Sequence, residues 1–166
     1  MKIKKFGIVL LGSFLTISLV FYLVNLTGNH IWLASFASST ALLFISSNHS
    51  VAQPRALIGG HLICALVGIV FYHWFEDHWW VMAMSLSVGI FLMLATRTFH
   101  PPAAANTVIM INAHASFIVL ISTILLGTVS LVILTAVITR VTKSKVPYPS
   151  HWFAPSPRAR DWGIKH

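Results

Sequence analysis

RTFHPPAAANT, residues Arg97–Thr107, is a polar stretch in the middle of an otherwise apolar part of the chain. Its two prolines disfavour helical backbone at His100 and Pro101, and Pro102 suits the first position of a new helix. Non-helical backbone is tolerated at membrane depth only where protein or water satisfies its polar groups. The stretch therefore predicts a broken membrane helix with a candidate binding site beside the break.

The composition places the chain in a membrane. Of its 166 residues, 57% are hydrophobic and 8% are charged, and the mean hydropathy is +0.82, which excludes a soluble globule. The formal charge of +8 indicates anchors on lipid at the cytoplasmic surface rather than nucleic-acid binding, because of where the basic residues lie. They precede the first apolar run or follow the last one: Lys2, Lys4, Lys5, Arg140, Lys143, Lys145, Arg158, Arg160 and Lys165.

Long and short apolar segments alternate along the chain. Four are long enough to cross a membrane as helices at about 1.5 Å per residue, namely 6–26, 56–75, 79–96 and 117–137. Two short segments, 31–45 and 98–111, each carry polar residues. The order long, short, long occurs twice. We therefore predict an all-α membrane domain over residues 1–141, built from two pseudo-repeats at about 6–75 and 79–140 with four long spans and two short helices. Residues 142–166 form a basic cytoplasmic tail, too short and proline-rich to fold alone.

The two short segments either cross the membrane as broken helices or re-enter it from one side. Loop charges favour six crossings with both termini in the cytoplasm, because Glu76 and Asp77 share a loop without Lys or Arg. Two halves of three crossings are then inverted relative to each other, which is a recurrent transporter plan. The rival topology has four crossings and parallel halves, with Arg55 and Arg97 outside.

A ridge of small residues predicts close packing between helices. Ala56, Gly60, Cys64 and Gly68 recur every four residues and so share one helix face. Cys64 is the only cysteine, which excludes an intramolecular disulfide.

Two blocks of the sequence resemble the HPP family of integral membrane proteins, named for the His-Pro-Pro tripeptide. One block is Arg97–Ala103, RTFHPPA; the other is Val51–Arg55, VAQPR, followed by Gly59–Leu62, GGHL. The similarity extends over most of the chain. The resemblance implies a bundle of membrane helices and a transport function, and plastid and cyanobacterial relatives have been associated with nitrite transport.

The expected site combines the two short segments. Small anions bind to backbone N–H groups and to the positive end of a helix dipole, so the amides after the break should face polar residues of the first short segment. The alternative is that these polar residues only satisfy each other's helix ends. The candidate residues are Pro101, Pro102, Asn106, Thr107, Ser38, Ser39 and Thr40.

Two histidines and two arginines complete the candidate pathway. His100 either donates a hydrogen bond to an anion, carries a proton that couples to anion movement, or fixes the turn by bonding a carbonyl. His61 either lines the pathway or bonds across helices. Arg55 and Arg97 flank the cytoplasmic mouth, where they attract anions or anchor to headgroups.

We expect no metal, no cofactor and no enzymatic activity. Histidines within a span show no i, i+4 pair, and the three acidic residues lie in loops or the tail, which leaves no base within the membrane. The sequence thus predicts a transporter or channel for a small inorganic anion such as nitrite, in a bacterial-type inner membrane and in contact with its lipid. The alternatives are a non-transporting membrane scaffold or partner subunit, and a channel for a neutral small solute. So small a bundle is compatible with a homo-oligomer.

Overall fold

The computed structural model describes residues 2–28, 34–144 and 147–157, with side chains from Phe6 onward. In these ranges the chain forms six α-helices and no β-strand, which confirms the all-α prediction there. The helices are α1 (Lys2–Asn25), α2 (Ala34–Ile45), α3 (Pro54–Phe75), α4 (Trp79–Ala95), α5 (Ala105–Asn112) and α6 (Leu126–Val141). Several predicted anchors lie outside this description: Lys145, Arg158, Arg160, Lys165 and the side chains of Lys2, Lys4 and Lys5.

Three helical stretches are long and apolar enough to cross a membrane: Phe6–Asn25, Pro54–Phe75 and Leu120–Val141. The last consists of a π-helical segment, Leu120–Leu125, that continues into α6. The apolar helices α2 and α4 are shorter, at 12 and 17 residues, or about 18 Å and 26 Å at 1.5 Å per residue. Three of the four predicted long spans are therefore long enough to cross, and the fourth, 79–96, corresponds to the shorter helix α4.

The two ends of the bundle differ in the charge of their side chains. At one end, which we call the basic end, Arg55 donates a hydrogen bond to the Thr96 carbonyl (3.2 Å), so the start of α3 meets the end of α4. Arg140 lies at the end of α6 on the same side, since its neighbour Thr139 accepts a hydrogen bond from the Tyr148 amide and the Tyr148 hydroxyl donates to Ala52. At the opposite, acidic end, Asp77 lies 3.5 Å from His114.

The broken segment, residues 98–107, packs closely against the small-residue ridge of α3. A Cβ atom on Gly60 would lie 2.9 Å from the Thr98 carbonyl and 3.0 Å from the His100 Cβ atom. A Cβ atom on Gly68 would lie 2.5 Å from the Thr107 carbonyl. Only glycine permits this approach, so α3 is the helix against which residues 98–107 are fixed.

The backbone breaks at the histidine of the His-Pro-Pro tripeptide. His100 is extended (φ −135°, ψ 98°) as predicted, but Pro101, also expected to be extended, starts a 3₁₀ turn over Pro101–Ala104. The Ala103 amide closes this turn on the His100 carbonyl (2.9 Å). The turn is tolerated because both prolines occupy opening positions, where a missing N–H leaves no intrahelical bond unmade.

Candidate functional site

Five buried polar side chains meet where the broken segment passes α2 and α3. We call them the polar cluster: Ser35, Ser39, His61, His100 and Asn106. Each has 0% of its surface exposed. Their positions on α2, on α3 and on both sides of the 3₁₀ turn bring three separate parts of the chain to one point.

Ser39 is the centre of the polar cluster. Its hydroxyl oxygen lies 2.9 Å from Nε2 of His61 and 2.9 Å from Nε2 of His100. The same hydroxyl lies 2.7 Å from the Ser35 carbonyl, one turn earlier on α2. One hydroxyl thus contacts two imidazoles and a backbone acceptor.

His100 is held from its other side by the short turn before α3. Its Nδ1 atom lies 2.6 Å from the Val51 carbonyl, and Val51 belongs to the 3₁₀ turn Ser50–Ala52. The backbone at His100 is extended, and Gly60 leaves room for its Cβ atom. The ring is therefore clamped between two chain segments.

Asn106 joins the start of α5 to both α2 and α3. Its Nδ2 atom lies 2.8 Å from Nδ1 of His61 and 3.4 Å from the His61 carbonyl. Its Oδ1 atom accepts a hydrogen bond from the Ser35 hydroxyl at 2.6 Å. Since Ser35 and Asn106 are the second residues of α2 and α5, this bond connects the starts of the two short helices.

His61 lies inside the bundle rather than at its edge. It is seven residues into α3, or about 10 Å along the helix axis from Pro54. Its ring centroid lies 5.3 Å from that of Phe36 and 5.2 Å from that of His100. Phe36 is itself fully buried and packs where Gly127 of α6 leaves room for its ring, so apolar packing closes this side of the cluster.

The remaining residues expected at the site lie elsewhere. Ser38 is exposed and bonds carbonyls of its own helix, as does the buried Thr40. Thr107 donates to the Ala104 carbonyl. Pro101 is exposed and Pro102 half-buried. The structure thus brings together Ser39, His61, His100 and Asn106 and leaves the other candidates outside the polar cluster.

The two arginines lie at the basic end, Arg55 at the start of α3 and Arg97 just after the end of α4. Arg55 is exposed and bonds the Thr96 carbonyl. Arg97 has positive φ (57°), and its Nε atom donates to the Ser156 carbonyl at 2.9 Å. Arg97 is therefore held by the C-terminal part of the chain, a contact that the sequence analysis did not anticipate.

Two members of the site were missed from sequence: Ser35 and the Val51 carbonyl. Ser35 had a detectable signal, because it precedes Ser39 by four residues and so shares its face of α2. The role of Val51 is carried by a backbone atom, which side-chain patterns do not reveal.

The chemistry available at this site is hydrogen bonding and proton binding. Hydroxyl, amide and imidazole groups can all donate to a small polar solute, and imidazole can also bind a proton. In the described ranges no three His, Cys, Asp or Glu side chains converge as metal ligands would.

Long apolar helices around a buried polar centre define an integral membrane protein. The model of the HPP transmembrane region matches residues 1–149, and the chain belongs to the HPP family. It is 28% identical over 163 residues to two curated transmembrane proteins of Dictyostelium discoideum, and these matches cover 91% of this chain. The chain spans about half the length of these relatives, 57% and 52%. No solved structure matches the chain.

Proposed function

We propose that this protein is a small membrane transporter for an inorganic anion such as nitrite, and that the anion passes through the polar cluster. The observation that carries the proposal is the position of Ser39 within 2.9 Å of both imidazoles inside the bundle. Ionisable groups at membrane depth are costly, and they commonly mark the pathway of an ion or a substrate.

The donors of the polar cluster favour an anion over a cation. Imidazole N–H, hydroxyl and amide groups all donate hydrogen bonds, while Glu76 and Asp77 lie in the loop between α3 and α4 at the acidic end. Arg55 and Arg97 at the basic end raise the local concentration of anions. Nitrite is the anion suggested by the resemblance to plastid and cyanobacterial relatives.

Helix directions support two inverted halves of three crossings each. A Cβ atom on Gly12 would lie 2.6 Å from Phe44 and 3.2 Å from Ile138, so the first half of α1 lies beside the ends of α2 and α6. The start of α3 and the end of α4 also lie there, and α5 leads to His114 at the acidic end. Directions then alternate from α1 to α6, and the starts of the two short helices meet at the bond from Ser35 to Asn106.

The charge rule assigns the membrane sides. Short cytoplasmic loops and tails carry an excess of Lys and Arg, so the basic end faces the cytoplasm and both termini lie there. With every member of the polar cluster buried, the described conformation is closed, and transport requires an opening towards each side in turn.

The test is nitrite uptake into liposomes that contain the purified full-length chain, at about neutral pH. Ser39→Ala removes the hydroxyl between the imidazoles and should lower uptake about tenfold, since a hydrogen bond to a charged group contributes about 1.5–3 kcal/mol. The matched control is Ser38→Ala, the adjacent exposed serine that bonds only its own helix, and it should transport like the unmodified chain.

Other outcomes would identify the rival functions. Uptake of urea but not of nitrite, nitrate or formate would indicate a channel for neutral solutes. Vesicles that take up none of these solutes faster than protein-free vesicles would leave a membrane scaffold as the function, and the proposal would be wrong.

A further inference from the structure

We propose that His61, Ser39 and His100 form a binding site for one proton, and that this proton moves together with the transported anion. The proton site follows from the hydrogen-bond geometry of the polar cluster; its coupling to transport rests on the anion transport proposed above.

The proton on neutral His100 is fixed by Val51. A carbonyl oxygen can only accept a hydrogen bond, and the Val51 carbonyl lies 2.6 Å from Nδ1 of His100. Nδ1 must therefore carry a hydrogen and donate it. In the neutral ring, Nε2 is then left with a lone pair that faces the Ser39 hydroxyl.

On neutral His61, Asn106 fixes the ring hydrogen on the other nitrogen, Nε2. The Asn106 amide must point its Nδ2 atom at His61, because Nδ2 lies 3.4 Å from the His61 carbonyl and Oδ1 accepts from the Ser35 hydroxyl. The flipped amide would place two oxygens against each other. Nδ1 of His61 accordingly accepts from Nδ2 (2.8 Å), and the ring hydrogen resides on Nε2, where it donates to Ser39.

These assignments leave the Ser39 hydroxyl with a choice between two acceptors. The Ser39 hydroxyl has a single hydrogen but two acceptors, the Ser35 carbonyl at 2.7 Å and the lone pair of His100 at 2.9 Å. In the neutral cluster the hydrogen goes to Nε2 of His100, because the Ser35 carbonyl also accepts from the Ser38 hydroxyl at 3.1 Å and so stays paired.

The network can take up one added proton without leaving a polar atom unpaired. A proton on Nε2 of His100 is donated to Ser39, and the Ser39 hydrogen turns to the Ser35 carbonyl. The hydroxyl oxygen then accepts from both imidazoles and donates once, which is its full capacity. A second proton would have to bind Nδ1 of His61, where it would oppose the Asn106 amide hydrogens and the charge of the first imidazolium 5.2 Å away. The site therefore holds one proton.

Among the residues that the structure describes, none around the polar cluster supplies another charge to balance this proton. On α2, Ser35 and Phe36 are neutral; on α3, Cys64 packs against Gly89 of α4 and Arg55 is bonded to Thr96 at the basic end. The 3₁₀ turn before α3 offers the Val51 carbonyl, with the Tyr148 hydroxyl behind it on Ala52, and the broken segment offers the Asn106 amide. Gly127 of α6 faces Phe36.

Proton and anion must then favour each other's binding. A buried imidazolium without a counter-charge is unstable in a medium that water does not reach, and so is a buried anion. Together they form a neutral pair, so each raises the affinity for the other. Each cycle takes up one proton and one monovalent anion on one side and releases both on the other, with no net charge moved.

The proton site can be tested without transport, by nitrogen NMR of the full-length protein in liposomes with ¹⁵N-labelled histidine. His61→Gln and His100→Gln assign the two signals, and His73→Gln, at the opposite end of α3, is the control. At alkaline pH we expect hydrogen on Nδ1 of His100 and on Nε2 of His61. On acidification, only His100 should become doubly protonated. Reversed tautomers, double protonation of both rings together, or no protonation of His100 with nitrite present would each overturn the inference.

The coupling is tested in the same liposomes with a pH-sensitive dye inside. We expect one proton to enter with each nitrite after subtraction of the flux in protein-free vesicles, and no effect of an imposed membrane potential. Nitrite uptake without a proton, or uptake driven by the potential, would contradict the coupling while leaving anion transport standing. Absence of nitrite uptake would instead refute the proposed function and with it the coupling, and the NMR result would still decide the proton site.

Discussion

Arg97 and Ser156 hold each other through two hydrogen bonds. The Arg97 Nε atom donates to the Ser156 carbonyl at 2.9 Å, and the Ser156 amide donates to the Arg97 carbonyl at 3.0 Å. Earlier in the same C-terminal segment, the Tyr148 hydroxyl donates to the Ala52 carbonyl at 3.0 Å. Residues 147–157 thereby hold two segments beside His100, because Ala52 is the last residue of the turn that contains Val51 and Arg97 precedes the break.

Loss of the Arg97 side chain should loosen this C-terminal segment. Arg97→Gln removes a charged donor worth about 1 kcal/mol at a half-buried position, which corresponds to about a fivefold larger open population. Chymotrypsin should then cleave near Trp152 and Phe153 about fivefold faster in detergent-solubilised protein. Arg55→Gln is the control, because Arg55 bonds only the Thr96 carbonyl. Equal cleavage of both variants would contradict this role of Arg97.

Tyr148 should make the protein sensitive to alkali. Burial raises the pKa of Tyr148, whereas the unfolded chain loses this proton at about pH 10. Its contribution to stability is therefore complete below that pH and falls above it, by up to about 1.4 kcal/mol per pH unit. Between pH 9 and 11, the unfolding midpoint of Tyr148→Phe should fall less than that of the unmodified chain. Tyr22→Phe, on the exposed face of α1, should retain the full alkaline loss; the same loss in Tyr148→Phe would refute the prediction.

Gly68 should be far less replaceable than Gly7 of α1. Gly68→Ala would place its Cβ atom 2.5 Å from the Thr107 carbonyl and 2.9 Å from its Cα atom. Because both are backbone atoms, α5 must shift, at a cost of about 1–3 kcal/mol in unfolding free energy. At Gly7 of α1 a Cβ atom meets nothing within 4 Å, so Gly7→Ala should stabilise by up to about 1 kcal/mol. Chemical unfolding in detergent compares the two; equal effects would contradict the close packing.

The sequence located the break but not the partners that meet there. Two adjacent prolines leave few backbone conformations, so an extended His100 was predictable. Hydropathy similarly placed α4 at Trp79–Ala95 against a predicted 79–96. Both results depend on local properties of the chain.

The pairing of residues across the cluster depends on distant contacts instead. The residues after the break were expected to face Ser38, Ser39 and Thr40, but Asn106 bonds Ser35, one helical turn before Ser39, and Ser39 bonds the imidazoles. The position of α2 along the bundle axis, and so its register with α5, is set by packing such as Phe36 against Gly127 of α6. These two residues are 91 positions apart in the sequence. Likewise, Tyr148 is buried at the basic end only when the bundle has assembled. Its burial could therefore not be predicted from the sequence of the tail.

Ser35 and Asn106 should depend on each other energetically. Ser35→Ala leaves the Asn106 Oδ1 atom without its donor in a fully buried site, which should lower the unfolding free energy by about 1–3 kcal/mol. Ser87→Ala, an exposed serine bonded only to its own helix, should change it by less than about 0.5 kcal/mol. In a double-mutant cycle with Asn106→Ala, the second substitution should cost less once the first is present, with a coupling of about 1 kcal/mol. Additive effects would mean that the starts of the two short helices are not held together by this bond, and that the polar cluster is assembled by apolar packing alone.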